Sequence, residues 1–478
     1  MPSFAEKIQD LCGWLESNND WRQKECFNLI PSESTPSLLV KMCEISDPAG
    51  RYAEHRTMKG EEVYFYQGID FIRDVEIEAQ KELARFFECR DVELRPISGQ
   101  MANEVVFKGI TKFINRGKAE GQVSRRMRLV LNNDLNKGGH LSAQPMGALY
   151  NWIDEDPGTG KENVIHFPVR KDNPYKADLS ALADLLAKRK PELVVFGKSM
   201  FICAEPVKFV ADLVKDWPQR PVLMYDMAHV LGLYGAFQEP FKDGVDLVTG
   251  STHKTFFGPQ RGLIAGDIAK NSPLRNLWID IRSRAFPGST SNHHLGTLVG
   301  LLMAAYEMNE FKIPYQAAVR ANAKSFAMSL AGHGISVEGD PAESYTETHQ
   351  VLLRIKAYGP GMAIARRLED NNIVVNYQAL PDDETFLESS GLRLGVQEMT
   401  RFGMKAADFD RLAGYIADCV IRNKPVKDEV AAFRKDFLEM DYCLPAKEAI
   451  PLAARVMASA MPHPDFAARF ADNLHKLS

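Results

Sequence analysis

The sequence has few cysteines, no long apolar run and no large excess of charge of either sign, and each shortage removes a class of function. Its seven cysteines, Cys12, Cys26, Cys43, Cys89, Cys203, Cys419 and Cys443, are odd in number and scattered without a CxxC pair. Neither a disulfide framework nor a zinc site is suggested. With 58 basic and 63 acidic residues the net charge is -5, which gives no electrostatic case for nucleic acid or an anionic membrane as partner. No apolar stretch approaches the roughly 18 to 20 residues of a membrane span. The start, "MPSFAEKIQDLCGW", lacks the basic and apolar regions of a signal peptide. The expectation is a soluble cytoplasmic protein whose partner is a small molecule. Internal repeats and low-complexity segments are also missing. What remains, 478 residues at 45% hydrophobic and 25% charged, is globular composition sufficient for one large domain and a smaller one.

Residues 178 to 262 alternate helical and strand patterns. "DLSALADLLAKRK" and "EPVKFVADLVKDW" carry apolar residues at helical spacing, while "ELVVFGKS" and "RPVLMYD" are short apolar runs bounded by turn residues. Helices alternating with buried strands predict an α/β fold with a mostly parallel sheet covered on both faces. Ligands of such sheets bind beyond the carboxyl ends of the strands, where Ser199, Asp226, His229 and Lys254 fall. From about Leu295 the pattern predicts one long helix through "LGTLVGLLMAAYEMNEF" and another through "VRANAKSFAMSLAGHG", then strands at "HQVLLRI", "NNIVVN" and "GLRLGV" and a helix from Ala406 to Ile421. The resulting division is an N-terminal arm (1–35), a large domain (36–298), a smaller α+β domain (299–442) and a helical C-terminal extension (443–478).

The stretch "VDLVTGSTHKTFFGPQRG" sets Lys254 between an apolar run and a glycine-rich turn. Read alone, such a lysine is a solvated loop cation, because Lys is rarely buried unless paired. Asp226 at the end of another apolar run could pair with it as a plain salt bridge. A second reading is pyridoxal phosphate, which needs a lysine for its imine, an acid to keep the pyridine nitrogen protonated and a nest for its phosphate. "ISGQMANEVVFKGI" places Ser98, Gly99 and Gln100 before a helical run, suited to an anion or to ordinary capping.

The motifs "NLIPSES", "RYAE", "ISGQMAN", "GGHLS", "YDMAHVLGL", "GSTHKTFFGPQRG", "HQVLLRI" and "SGLRLGVQEMTRFGM" resemble, in order and spacing, the serine hydroxymethyltransferases over about residues 25 to 430, with "SNHHL" and "RLGVQEMTRFGM" closer to the archaeal branch. The resemblance implies an α/β, fold-type I, aspartate aminotransferase-like pyridoxal phosphate enzyme, a dimer or tetramer with active sites shared between subunits. It implies that Lys254 holds the cofactor, Asp226 pairs with the pyridinium nitrogen, His140 stacks on the ring, and Ser199 and His229 lie around its 3'-oxygen. Ser98, Gly99 and Gln100 would bind phosphate, with Tyr52 reaching in from the neighbouring subunit. Arg393 would fork onto the substrate carboxylate. Glu54, also from the neighbour, would act as acid and base at the substrate hydroxyl with Tyr66 near it, and Thr252 and Thr255 would relay protons or cap the turn.

His140 and His229 taken singly are ordinary core histidines, His349 is read that way outright, and Arg393 could be a core ion pair. Adjacent His293 and His294 lack carboxylate or Cys ligands at suitable spacing, so no metal is expected. The basic run "NRGKAEGQVSRRMR" is read as a solvated loop. Two departures bear on substrate. "HRTMKGEEV" after "RYAE" is about four residues longer than the family's loop, and "NYQALP" replaces its Asn-Lys-Asn pattern with Tyr377 and Gln378, the latter still able to bond a pterin. Ala143 stands where the family has a second histidine, and "FPGSTSNHHLG" lacks its usual glycine pair. Three functions stay open: hydroxymethyl transfer between serine and glycine with tetrahydrofolate or tetrahydromethanopterin; a pterin-independent β-hydroxy-amino-acid aldolase or threonine transaldolase joining a glycine carbanion to an aldehyde; and a catalytically silent binding protein on the same fold.

Overall fold

The computed structural model describes residues 1–119, 122–461 and 463–474. In chain order the strands begin with β1 (Phe27–Asn28) and a hairpin of β2 (His55–Met58) and β3 (Glu61–Tyr64). The main sheet is built from β4 (Asp91–Glu93), β5 (Val130–Asn132), β6 (Val164–His166), β7 (Leu193–Phe196), β8 (Val222–Asp226), β9 (Leu247–Ser251) and β10 (Gly262–Gly266). Last come β11 (Ser336–Val337), β12 (Gln350–Arg354), β13 (Ile373–Val374), β14 (Asn376–Gln378) and β15 (Gly391–Gly395).

The main sheet runs in the order β4-β10-β9-β8-β7-β5-β6. Neighbours from β6 to β9 are parallel, and β10 is antiparallel to both β9 and β4. Every residue of β7 and β8 is buried, because alternate side chains enter different cores. Val194, Phe196, Leu223 and Tyr225 pack with the helices Leu179–Lys188 and Val207–Val214, while Val195 and Met224 pack with the helices Gly99–Ile114 and Arg275–Ala285. Apolar runs without alternation are the outcome of covering both faces. The carboxyl ends of β5, β7, β8 and β9 then lead in turn to His140, Ser199, Asp226 and Lys254.

The second sheet has the order β11-β12-β15-β14, antiparallel throughout. "NNIVVN", expected as one strand, divides. Ile373–Val374 pairs in parallel with Phe27–Asn28, and only Asn376–Gln378 joins β15. Phe27 and Asn28, in the expected N-terminal arm, are thus stitched to a strand of the expected small domain. The two helices expected after Leu295 are one, Leu295–Gly332, which passes through Pro314. The carbonyl that Pro314 leaves without a partner belongs to Glu310. Both residues are exposed, so water can take the lost bond. In the C-terminal extension, Ala449 and Ala453 of the helix Ala446–Ala460 pack on Leu39. Residues 462 and 475–478 of that extension, and residues 120 and 121 of the basic run, lie outside the described residues. Arg125 of that run forms a two-bond ion pair with Glu192 at 2.8 Å.

Candidate functional site

Lys254 is not a solvated loop cation: it is 9% exposed, and its Nζ lies 3.3 Å from His229 Nε2. The loop that carries it closes on its own polar groups. Thr252 Oγ1 donates to Pro259 O at 2.6 Å and accepts the Arg261 N–H at 3.1 Å. Thr255 Oγ1 donates to His229 O and accepts the Gly232 N–H, both at 3.0 Å. Neither hydroxyl bonds to Lys254 Nζ; both close the loop that carries it. Ser34 Oγ donates to Lys254 O at 2.6 Å from the N-terminal segment. Burial pulls the lysine's pKa down to about 8, Asp226 opposing and Arg393 reinforcing the shift.

Asp226 ends β8 at 2% exposure. Its Oδ2 accepts from Asn103 Nδ2 at 2.7 Å and from His140 Nδ1 at 2.5 Å, and its Oδ1 accepts the Ala228 N–H at 3.0 Å. Burial pushes the carboxyl upward, but His140, Asn103 and the Ala228 amide outweigh it and hold the group below its ordinary value. Asn103 was not singled out in the sequence. It lies one helical turn past Gly99, and its carboxamide also meets Ser142 Oγ at 2.7 Å and Thr249 Oγ1 at 2.6 Å. A polar residue on the buried face of "ISGQMANEVVF" was the available signal.

Ser98 caps the helix Gly99–Ile114, its Oγ accepting the Met101 N–H at 3.1 Å. Two glycines let the backbone close around this terminus. A Cβ on Gly99 would sit 2.3 Å from Ser251 Oγ, and one on Gly262 2.0 Å from Ser98 O. Gln100 follows in the first turn, exposed. Ser199 Oγ donates to the carbonyls of Gly138 and Gly139 at 3.3 and 3.2 Å. Arg393 on β15 is 8% exposed; its Nη1 donates to Ser199 O at 2.7 Å and its Nε to Asn376 Oδ1 at 3.2 Å. It has no carboxylate partner among the described residues, so the reading as a core ion pair fails, and burial alone lowers its pKa to about 10. Gln378 lies across from Gly391 on β14, half-buried.

This donor set fits pyridoxal phosphate. It holds an amine that ionises near neutrality, a buried anion to face a protonated ring nitrogen, a helix N-terminus lined by glycine backbone for phosphate, and a carboxylate-free cation for the substrate.

Tyr52, Glu54 and Tyr66 flank the β2–β3 hairpin. The rings of Tyr52 and Tyr66 are 5.3 Å apart, both largely exposed, and Glu54 O accepts the Phe65 N–H at 3.0 Å. None of the three bonds to Lys254, Asp226 or Arg393. The longer loop after Glu54 is the β2–β3 hairpin. Its root is His55, buried and stacked on Tyr64, with Nδ1 2.9 Å from Glu62 and Nε2 3.1 Å from Glu76. Burial resists charging this imidazole, yet the two carboxylates raise its pKa to about 9. His293 joins the cluster at 3.4 Å from Glu76. His349 is buried with Nε2 3.1 Å from Pro31 O. Among the described residues no group of three or more His, Cys, Asp or Glu is arranged to hold a metal ion.

The family model for serine hydroxymethyltransferase matches residues 7–416. Serine hydroxymethyltransferase of Staphylothermus marinus is 38% identical over 430 residues, 88% of this chain and 90% of that one. Its counterpart from Pyrobaculum aerophilum is 35% identical over 443 residues, 92% and 95% of the two chains. The crystal structure of L-threonine transaldolase from Pseudomonas fluorescens superposes with a TM-score of 0.79 at 24% identity, covering 94% of this chain and 97% of that one, which establishes the shared fold.

Proposed function

From the premise that the chain belongs to the serine hydroxymethyltransferase family, we propose that it interconverts serine, or a close analogue, and glycine, with tetrahydrofolate or tetrahydromethanopterin carrying the one-carbon unit. It is a pyridoxal phosphate-dependent transferase of fold-type I. The observation that carries the proposal is the buried amine of Lys254 sharing one site with an ionised Asp226 and a carboxylate-free Arg393.

Pyridoxal phosphate, when bound, supplies an aldehyde for an amine and a protonated ring that accepts electrons as a bond to Cα breaks. The chain's own residues do the rest. Lys254 would offer the amine that holds the cofactor and could hold or release a proton at Nζ. Asp226, kept anionic by Asn103 and His140, would hold a proton on the ring nitrogen. Ser98, Gly99, Gln100 and Gly262 would hold the phosphate. Arg393 would bind the amino acid's carboxylate through the guanidinium edge that Ser199 O and Asn376 leave free and so orient the amino acid. His229 and Ser199 would border the ring's oxygen, and Gln378 would bond the pterin. Glu54, with Tyr52 and Tyr66, would enter from a second copy and take the β-hydroxyl proton. Within one chain none of the three bonds to Lys254, Asp226 or Arg393, which fits a homodimer with shared sites. All seven cysteines are free, which fits a reducing compartment such as the cytoplasm.

The test is glycine release by the cofactor-loaded protein from serine and from threonine, with and without each reduced pterin. Pterin-dependent cleavage of serine is the expected result. Faster, pterin-independent cleavage of threonine would replace it with aldolase or transaldolase chemistry, the reading favoured by the β2–β3 hairpin and by Tyr377, whose ring packs 5.3 Å from Phe386. Lys254→Ala should abolish steady turnover of either kind. A colourless protein that takes up no pyridoxal phosphate would remove both.

A further inference from the structure

Gln350 opens β12 in the second sheet and is fully buried, yet its carboxamide reaches the lysine's surroundings. Its Oε1 accepts the Phe201 N–H at 2.9 Å. A backbone N–H can only donate, so this bond fixes which way the amide faces. Its Nε2 is therefore the donor that meets His229 Nδ1 at 3.5 Å. A neutral imidazole has one donor and one acceptor nitrogen. An Nδ1 that accepts leaves the proton on Nε2, and Nε2 is the atom 3.3 Å from Lys254 Nζ. An ammonium there would set two donors against each other; a neutral amine accepts the bond.

We infer that Gln350 is a positioning residue that holds His229 in the Nε2–H tautomer and thereby presents Lys254 as the free base. The inference rests on the reading of Lys254 as the amine that captures the cofactor aldehyde. The charged and titratable groups around the amine act on both sides of the balance. Asp226 favours the ammonium, while burial and Arg393 oppose it. His253 is the neighbour in sequence, His140 stands edge-on to His229 at 5.5 Å, and His349 is held by Pro31 O. His229 itself is kept neutral, first by burial, with the positive charge of Arg393 acting in the same direction. What the Gln350 amide adds is direction: without it both tautomers are open to His229, and one of them welcomes an ammonium.

The test uses the full chain stripped of cofactor and mixed with pyridoxal phosphate, the rise of near-visible absorbance being followed across pH, together with nitrogen-15 NMR of labelled histidine assigned with His229→Asn. The expected results are an Nε2–H signature for His229 and half-maximal uptake near the lysine's pKa of about 8. Gln350→Glu, whose carboxylate accepts from Nδ1–H, should reverse the tautomer, move the midpoint up by about one pH unit and slow uptake near neutrality about tenfold. Gln350→Met should shift it less. An Nδ1–H signature in the unsubstituted protein overturns the inference even if both variants fail to fold. Folded variants with an unchanged midpoint overturn it as well, leaving Gln350 as packing only. Absence of uptake at any pH, with the fold intact, sinks the reading of Lys254 instead and the inference with it.

Discussion

Arg393 and His55 are both buried cations, and they differ in what answers their charge. Arg393 has only a carbonyl and a carboxamide as partners, so its desolvation is compensated in part until a carboxylate arrives. Arg393→Met should stabilise the protein in the absence of amino acid by about 1–2 kcal/mol. It should also raise the apparent KM for the amino acid about 10- to 100-fold, the loss of charge-assisted bonds worth roughly 1.5–3 kcal/mol. Urea unfolding and steady-state kinetics check the two halves. His55 is answered by Glu62 and Glu76. Its pKa of about 9 exceeds the ordinary value of about 6.5, so its stabilisation is complete below about pH 6.5 and is lost as pH rises through 9. The unsubstituted protein should therefore lose more stability between pH 7 and 10 than His55→Gln. At pH 7 that variant should be weaker by about 3–5 kcal/mol, with Glu76 short of a cation. Both comparisons are read by unfolding at a series of pH values. Lys254, Asp226 and Arg393 were legible in the sequence because each is a charged residue ending or interrupting an apolar run. Asn103 and Gln350 were not, because a neutral amide in an apolar pattern gives no hint of its partner 123 or 121 residues away.

At the scale of elements, the helix Gly99–Ile114 works through the close approach at its start. Gly262→Ala would bring a methyl to 2.0 Å from Ser98 O, a backbone atom that cannot swing aside. The variant should release pyridoxal phosphate on dialysis with affinity lowered by about tenfold or more, a displacement cost of at least about 1.4 kcal/mol. Retention equal to that of the parent would show that the terminus does not hold phosphate. The parallel strands were legible because continuous apolar runs separated by amphipathic helices allow few other folds. The long helix was misread because proline ordinarily ends a helix, and only the exposure of Glu310 and Pro314 explains why this one does not. The extra residues after Glu54 were legible as an insertion but not as a hairpin, since "HRTMKGEEV" has no alternation of apolar residues to announce paired strands.

Across the whole molecule, residues 26 to 36 join parts that the sequence keeps far apart. Phe27 and Leu29 donate backbone bonds to Asn372 O and Val374 O, and Gln397 Nε2 donates to Ile30 O and Glu33 O. Arg401 Nη1 donates to Thr35 O, and Ser34 reaches the lysine loop. A two-residue strand has no period to detect, so this stitching was invisible in the sequence although its motif, "NLIPSES", was noticed. The same stitching sets a timetable for the newborn enzyme. Ser34, made early, and Gln350 and Arg393, made late, all bear on Lys254. At about 5–20 residues per second the first and last of them leave the ribosome tens of seconds apart. Once made, Lys254 lacks what Gln350 and Arg393 bring to its surroundings until both have emerged. Capture of the coenzyme should therefore be an event of the finished polypeptide, and fragments broken off during synthesis should leave the cell's vitamin B6 alone.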